Sequence, residues 1–289
     1  MNITVIGTGV AGRTLAQAFQ RAGHDVVVGT RDPGETAGRE EWVGLDVPLQ
    51  PLSTAAGQAE VVVNATNGGA SLSALGEVGT DHLAGKVLLD VANPLDFSQG
   101  FPPTLSVKDT DSLAEQIQRA FPEARVVKTL NTVTASVMVD PASLGDGDTT
   151  MFAAGDDAEA RQVAVGLLRD LGWGDIVELD GLHNARGLEM WLPLWVRLMG
   201  ALGTAVQPQA RALTRDGPFV AETVEKHRFV RVITCPTCSA SRCRTFLVRW
   251  VVSRRPSARQ EATSTPSRSS SAAATDGPST TCSWPRSTA

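Results

Sequence analysis

Three glycines in the first dozen residues carry the sharpest chemical signal in the chain. Gly7-Thr8-Gly9-Val10-Ala11-Gly12 spells G-x-G-x-x-G. A short apolar run, Ile3 to Ile6, precedes it, and Leu15, Ala18, Phe19 and Ala22 follow at helical spacing. The motif therefore sits at a strand-to-helix turn, the context in which it can hold a dinucleotide. The first glycine allows a tight turn, the second lets backbone approach a pyrophosphate, and the third lets helix and strand pack closely. The helix N-terminus then offers unpaired N–H groups and a positive dipole end to the phosphates. A glycine-rich turn without a ligand is the plainer alternative.

The next apolar run, Val26 to Val28, decides which dinucleotide is expected. It ends Val28-Gly29-Thr30-Arg31-Asp32. NAD sites usually place Asp or Glu here, to hold the ribose 2′-hydroxyl. Gly29 occupies the expected acidic position and leaves room, Thr30 offers a hydroxyl, and Arg31 offers a planar cation suited to a 2′-phosphate. One charge-assisted hydrogen bond contributes about 1.5–3 kcal/mol, so the expected cofactor is NADP(H). Asp32 blurs this preference if it faces the ribose, and a surface-only role for Arg31 stays open. Two later loops, Asn64-Ala65-Thr66-Asn67 and Ala92-Asn93-Pro94, are expected to complete the site at the carboxyl ends of their strands. Each is also compatible with an ordinary turn.

The elements that must position these loops alternate in type. Further buried-strand candidates are Val61–Val63, Val87–Leu89, Val126–Val127 and Met151–Ala153, β-branched and not strictly alternating, as in parallel strands covered on both faces. Ser112 with Glu115 forms a capping box, and Pro122 closes that helix. Helical spacing continues over Ala158–Leu171, and Asn184–Leu202 reads as a long apolar helix containing Pro193. The expected fold is α/β, a Rossmann-type doubly wound parallel sheet with a small C-terminal lobe. The division expected is 1–130 for the NADP-binding domain, 131–204 for an acceptor and dimerisation lobe, and 205–289 for a basic, low-complexity tail.

Charge supports that division. Of the 289 residues, the first 204 hold 13 Lys and Arg against 26 Asp and Glu, and the rest hold 13 basic against 5 acidic. An acidic body without cysteine suits a cytoplasmic enzyme and argues against nucleic acid as partner. No uncharged apolar run reaches the length of a membrane span, and no signal-peptide pattern opens the chain. Ser253–Ala289 is Ser-, Thr-, Arg- and Pro-rich and is expected to be disordered. Arg outnumbers Lys twelve to one beyond Thr204, the look of a GC-rich reading frame translated out of register. A genuine basic arm is the competing reading. Cys235, Cys238 and Cys243 lack a fourth ligand at zinc spacing, and no metal site is expected.

Several segments carry a family likeness. Gly29-Thr30-Arg31-Asp32-Pro33, Asp90-Val91-Ala92-Asn93-Pro94-Leu95, Ala124-Arg125-Val126-Val127-Lys128 with Asn131-Thr132, and Gly187-Leu188-Glu189-Met190-Trp191-Leu192-Pro193-Leu194-Trp195 resemble the NADP oxidoreductases that depend on the deazaflavin coenzyme F420, in their actinobacterial branch. The resemblance spans Met1 to about Thr204. It implies reversible hydride exchange between NADPH and oxidised F420, with the deazaflavin stacked on the nicotinamide in a cleft, and a homodimer. It also implies Asn131 where archaeal members carry a histidine beside the deazaflavin. The lysine that often follows the second-strand Arg is absent from Pro33-Gly34-Glu35-Thr36. Members end in a short apolar segment soon after the position of Thr204, where this chain continues Ala205-Val206-Gln207-Pro208.

Hydride transfer between two ring systems asks the protein for orientation rather than for a proton relay. Asn131, Thr132, Arg186 and Trp191 are the candidate acceptor contacts. Arg186 could meet an anionic group of the acceptor or pair with a Glu. Trp191 and Trp195, four apart, fit core or dimer interface as well as a stacking platform. His183 reads as a residue at the start of a helix or as a cofactor contact. Alternatives to the F420 reaction are reduction of another small acceptor such as an imine, and an NADP(H)-sensing module without turnover.

Overall fold

Short runs of Val, Ile and Leu that are buried on both faces become the parallel strands of one sheet. The structure, a computed structural model, describes residues 1–144, 149–202, 207–213, 229–230 and 245–251. The chain opens with β1 (Asn2–Ile6), α1 (Val10–Arg21), β2 (Asp25–Thr30), α2 (Pro33–Ala37), β3 (Leu49–Pro51), α3 (Leu52–Gly57) and β4 (Val61–Asn64). It continues through α4 (Gly68–Val78), α5 (Thr80–Leu83), β5 (Val87–Asp90), β6 (Leu95–Asp96), β7 (Thr104–Leu105), α6 (Leu113–Ala120) and β8 (Arg125–Thr129). Then come α7 (Ala135–Met138), β9 (Thr150–Gly155), α8 (Ala158–Asp170), β10 (Asp175–Asp180) and α9 (Ala185–Leu202).

The main sheet has the order β10-β9-β8-β5-β4-β1-β2-β3. From β3 to β8 all neighbours are parallel, and the strand order reverses between β1 and β4. That reversal is the crevice where doubly wound sheets bind ligands. The expected Rossmann sheet is present, with one departure: β9 runs antiparallel to β8, and β10 follows β9. β3 and β10 had no clear signal in the sequence. β3 is a three-residue edge strand, and β10 is largely exposed, so neither shows a buried run.

Alternate residues of each strand feed opposite layers. Ile3, Val5, Val28, Val63, Leu89 and Val127 pack with α1, α8, Trp42 and Trp173. Ile6, Val62, Leu88 and Val126 pack with residues of α3, α4, α5 and α6. The capping box forms as expected: Ser112 Oγ accepts from the Glu115 N–H (3.1 Å) and donates to its carboxylate (2.8 Å). α9 runs through Pro193 without ending.

Beyond Leu202, within the region read as a low-complexity basic tail, some residues form strands: β11 (Gln207–Leu213) pairs antiparallel with β13 (Thr245–Val251), which pairs with β12 (Phe229–Val230). Thr-Phe-Leu-Val-Arg-Trp-Val has the β-branched and aromatic content of a strand. The disorder expected for Ser253–Ala289 and the four cysteines all lie outside the described residues.

Candidate functional site

The glycine loop is fixed by contacts that exclude side chains. Gly7 has φ +127°, and a Cβ there would lie 2.4 Å from the Ala65 carbonyl oxygen, at the neighbouring β4 end. A Cβ on Gly12 would lie 1.9 Å from the Gly7 carbonyl oxygen. Gly9 is different: nothing stands within 4 Å of where its Cβ would be. Two glycines therefore make the turn close, and the third leaves its outer face bare. α1 begins at Val10 with Gly9 as its N-cap and no side chain bonded to the cap, so its first N–H groups stay available. Val10 is exposed, Ala11 half-buried.

At the end of β2 the structure reassigns two residues. Gly29 does not leave space for the ribose; a Cβ there would meet Ile6 Cδ1 at 2.7 Å and face α3. It is glycine because of packing. Asp32 caps α2, its Oδ1 accepting from the Glu35 N–H at 2.8 Å. Thr30 is buried, its hydroxyl 2.9 Å from that of Thr36. Arg31 is exposed beside it.

The carboxyl ends of β4, β5 and β8 share one rung of the sheet. Asn64 pairs in register with Asp90, and Asp90 with Lys128. On one strand each of these would be an isolated polar residue, but side by side they form a buried ladder. Thr66 Oγ1 donates to Asn64 Oδ1 (2.7 Å), and Asn64 Nδ2 donates to Asp90 Oδ1 (2.8 Å). Lys128 Nζ lies 2.8 Å from Asp90 Oδ2 and 2.9 Å from Glu189 Oε1 on α9, and also donates to the Ala92 carbonyl. Glu189 in turn accepts from the N–H groups of Leu113 and Ala114, at the start of α6. Lys128, Asp90 and Glu189 are at most 1% exposed.

Burial works against the Lys128 charge, but Asp90 and Glu189 together outweigh it and hold its pKa above the ordinary lysine value. Burial pushes the Glu189 carboxyl up, against the pull of Lys128. The triad ties the Ala92-Asn93-Pro94 loop to α9 and α6. Sequence reading placed Lys128 and Asp90 only within segments of family likeness. The available signal was a charged residue ending an otherwise apolar buried strand.

Asn131 stands where β8 leaves the sheet. Leu130 before it adopts φ +59°, a left-handed conformation that is costly for a leucine and turns the chain back. Asn131 Nδ2 then donates to Asn93 Oδ1 (2.9 Å) and to the Leu188 carbonyl (3.0 Å), while Asn93 Nδ2 donates to the Asn131 carbonyl (2.9 Å). Asn131 Oδ1 is buried with no hydrogen-bond partner. An orphaned acceptor at a strand's carboxyl end is a costly feature in a finished core. Thr132 is buried beside it, and Trp191 is half-buried.

Arg186 makes the pair that sequence left as one of two options. It grips Glu115 with two bonds, 2.8 and 2.5 Å, and the guanidinium holds that carboxyl below its ordinary pKa. His183 lies in a short 3-10 turn just before α9. Trp195 is buried. Among the described residues no three His, Cys, Asp or Glu side chains group as metal ligands, and no helix is long and apolar enough to cross a membrane.

Residues 2–94, which carry the glycine loop and the first two site loops, match the family described as coenzyme F420-dependent NADP oxidoreductases. The F420-dependent NADP reductase of Methanothermobacter thermautotrophicus is 31% identical over 212 residues, 68% of this chain and 89% of the relative. The chain belongs to the F420-dependent NADP reductase family. A crystal structure from Arthrobacter sp. FB24, provisionally named a member of this family, is 52% identical, with a TM-score of 0.69 over 71% of this chain and 96% of that one. Rat Metalloreductase STEAP3 is 30% identical over 231 residues, but the chain spans only 44% of it. Family membership makes this an NADP-dependent oxidoreductase.

Proposed function

We propose that this chain exchanges hydride between NADPH and oxidised coenzyme F420 at the carboxyl edge of β1, β4, β5 and β8. The observation that carries the reading is the pairing of a bare Gly9 backbone at the switch point with the unpartnered Asn131 Oδ1 beyond β8. The relatives' names supply the acceptor. When bound, NADPH would supply the hydride and oxidised F420 would take it up.

The protein's own part is placement. Gly7, Thr8, Gly9, Val10, Ala11 and Gly12 cradle the pyrophosphate at the α1 N-terminus, and Thr30 and Arg31 receive the 2′-phosphate. Asn64, Ala65, Thr66, Ala92, Asn93 and Pro94 line the crevice on the nicotinamide side. Asn131 Oδ1 accepts an N–H from a bound ring, with its amide held by Asn93 and Leu188. Holding two rings in reacting geometry can supply about 7–11 kcal/mol of barrier lowering without acid–base chemistry.

Homodimerisation is part of the same reading. Met190 and Leu194 on α9, with Phe97 and Phe101, expose large apolar side chains that a second copy of α9 would cover.

The test mixes purified protein with NADPH and oxidised F420 and follows loss of the deazaflavin's visible absorbance. Rapid loss, reduced by Asn131→Ala with NADPH affinity kept, is the expected result. NADPH binding with no F420 turnover would refute the F420 assignment and favour a binding-only role or another acceptor.

A further inference from the structure

The stretch after β2 lacks the lysine that family likeness leads one to expect, and Glu35 stands in the short helix instead. Beyond α2, the structure places a cation against the glycine loop. Arg39 Nη1 donates to Thr8 Oγ1, in the glycine loop, at 3.2 Å. Its Nη2 donates to Glu35 Oε1 at 2.7 Å. The backbone that delivers Arg39 is pinned on both sides. Before it, buried Thr36 is bonded to Thr30. After it, Trp42 Nε1 donates to the Thr8 carbonyl (3.2 Å), and Arg13 Nη1 to the Glu41 carbonyl (2.6 Å). The guanidinium thus spans from the glycine loop to α2. An adenosine ribose hung from that loop must cross this strip to bring its 2′-position to the end of β2.

Resting on the NADP(H) reading above, we propose that Arg39 is the second cation of the 2′-phosphate site and that Glu35 competes with the phosphate for it. Arg39 is a specificity-determining residue: it discriminates a ribose 2′-phosphomonoester from a 2′-hydroxyl. Glu35 is 66% exposed and Arg39 40% exposed in their side chains, so their pair is weak enough to exchange for a doubly charged phosphate. Arg31, exposed on the turn itself, is the first cation. The planar fork of Arg39 can keep Thr8 on one N–H while another meets the phosphate.

The experiment measures binding to the full chain, with no acceptor present, by calorimetry: NADPH against NADH, and 2′,5′-ADP against 5′-AMP. Arg39→Met should weaken NADPH and 2′,5′-ADP by about tenfold to hundredfold, the worth of one charge-assisted hydrogen bond. NADH and 5′-AMP should change less than about twofold, on the same principle that only the phosphate contact is lost. Arg39→Lys should restore part of the difference. Glu35→Gln should tighten NADPH several-fold and leave NADH alone. An equal loss for both ligand pairs in Arg39→Met would make Arg39 a support of the loop and overturn the proposal. So would unchanged NADPH affinity. If Arg31→Ala removes the NADPH preference while Arg39→Met leaves it, this proposal alone fails. If the unaltered protein binds neither NADPH nor NADH, the NADP(H) reading fails with it.

Discussion

Replacing Lys128 with Met tests whether the buried triad holds the site together. The substitution keeps the length of the side chain and removes its charge. Asp90 and Glu189 then face each other's surroundings at zero and 1% exposure with no cation between them. Removing one partner of a buried ion pair costs about 3–5 kcal/mol, most of it for the charge left behind. For a domain of this size 1 kcal/mol lowers Tm by about 2–4 °C, so the fall should be on the order of 10 °C. Asp90 keeps the Asn64 amide and Ala92 N–H, and Glu189 keeps two N–H groups of α6, which sets the loss below complete unfolding. The pH dependence has a definite sign. Burial already raises the Glu189 pKa against the pull of Lys128, and without the lysine it rises further. A carboxyl raised in the folded state contributes its stability below its unfolded pKa and loses it as pH rises through the folded one. The deficit of Lys128→Met should therefore be largest at neutral and alkaline pH and shrink toward acid. Adding Glu189→Gln should recover part of the neutral-pH loss. Urea and thermal unfolding of the three proteins across pH is the assay. A loss under about 1 kcal/mol at pH 7, far below the buried-pair range, or a deficit that does not shrink toward acid, would refute the reasoning.

Two further predictions follow from other contacts. Gly29→Asp, the change one would make to favour NAD, should lower thermal stability without creating NADH preference, because its Cβ would press on Ile6 2.7 Å away; tight NADH binding by a stable variant would contradict this. Acid should loosen the α6–α9 clamp. Arg186 holds Glu115 below its ordinary pKa, and Arg119 does the same for Asp111, so both contribute stability that is present above their unfolded values and lost as pH falls through the folded ones. Hydrogen exchange of α6 amides should speed up below the ordinary carboxylate range in the unaltered protein and much less in Glu115→Gln.

What the sequence disclosed was local. The glycine loop, the Ser112–Glu115 box and the α8 and α9 periodicities each lie within one stretch of chain, where spacing alone carries the information. At the glycine loop, the contact of Arg39 with Thr8 was not legible, because Arg39 lies in the irregular stretch after α2 and its link to Thr8, 31 positions away, exists only in the fold. Gly29 was assigned a ligand-side role that packing against Ile6 explains better. The triad was out of reach for a different reason. Asp90, Lys128 and Glu189 meet only once strand order and register are known, and no spacing in the chain relates them. Arg186 had two readings until α9 was set against α6, when Glu115, 71 positions away, became its partner.

The reversal of direction between β8 and β9 has an engineering consequence. In a wholly parallel sheet each strand must be followed by a crossover to the opposite edge. Here the segment after β8 turns back at Leu130 and stays on the edge where Asn131 sits, so the wall next to the crevice is built without crossing the sheet. The chain therefore has a natural splice line just after β8. A hybrid could keep residues 1–130 and take residues from Asn131 to Leu202 from a relative. Such a hybrid inherits constraints across the splice: whatever replaces Glu189 must still answer the lysine and aspartate left behind on β8 and β5, and whatever replaces Arg186 must still answer Glu115 on α6.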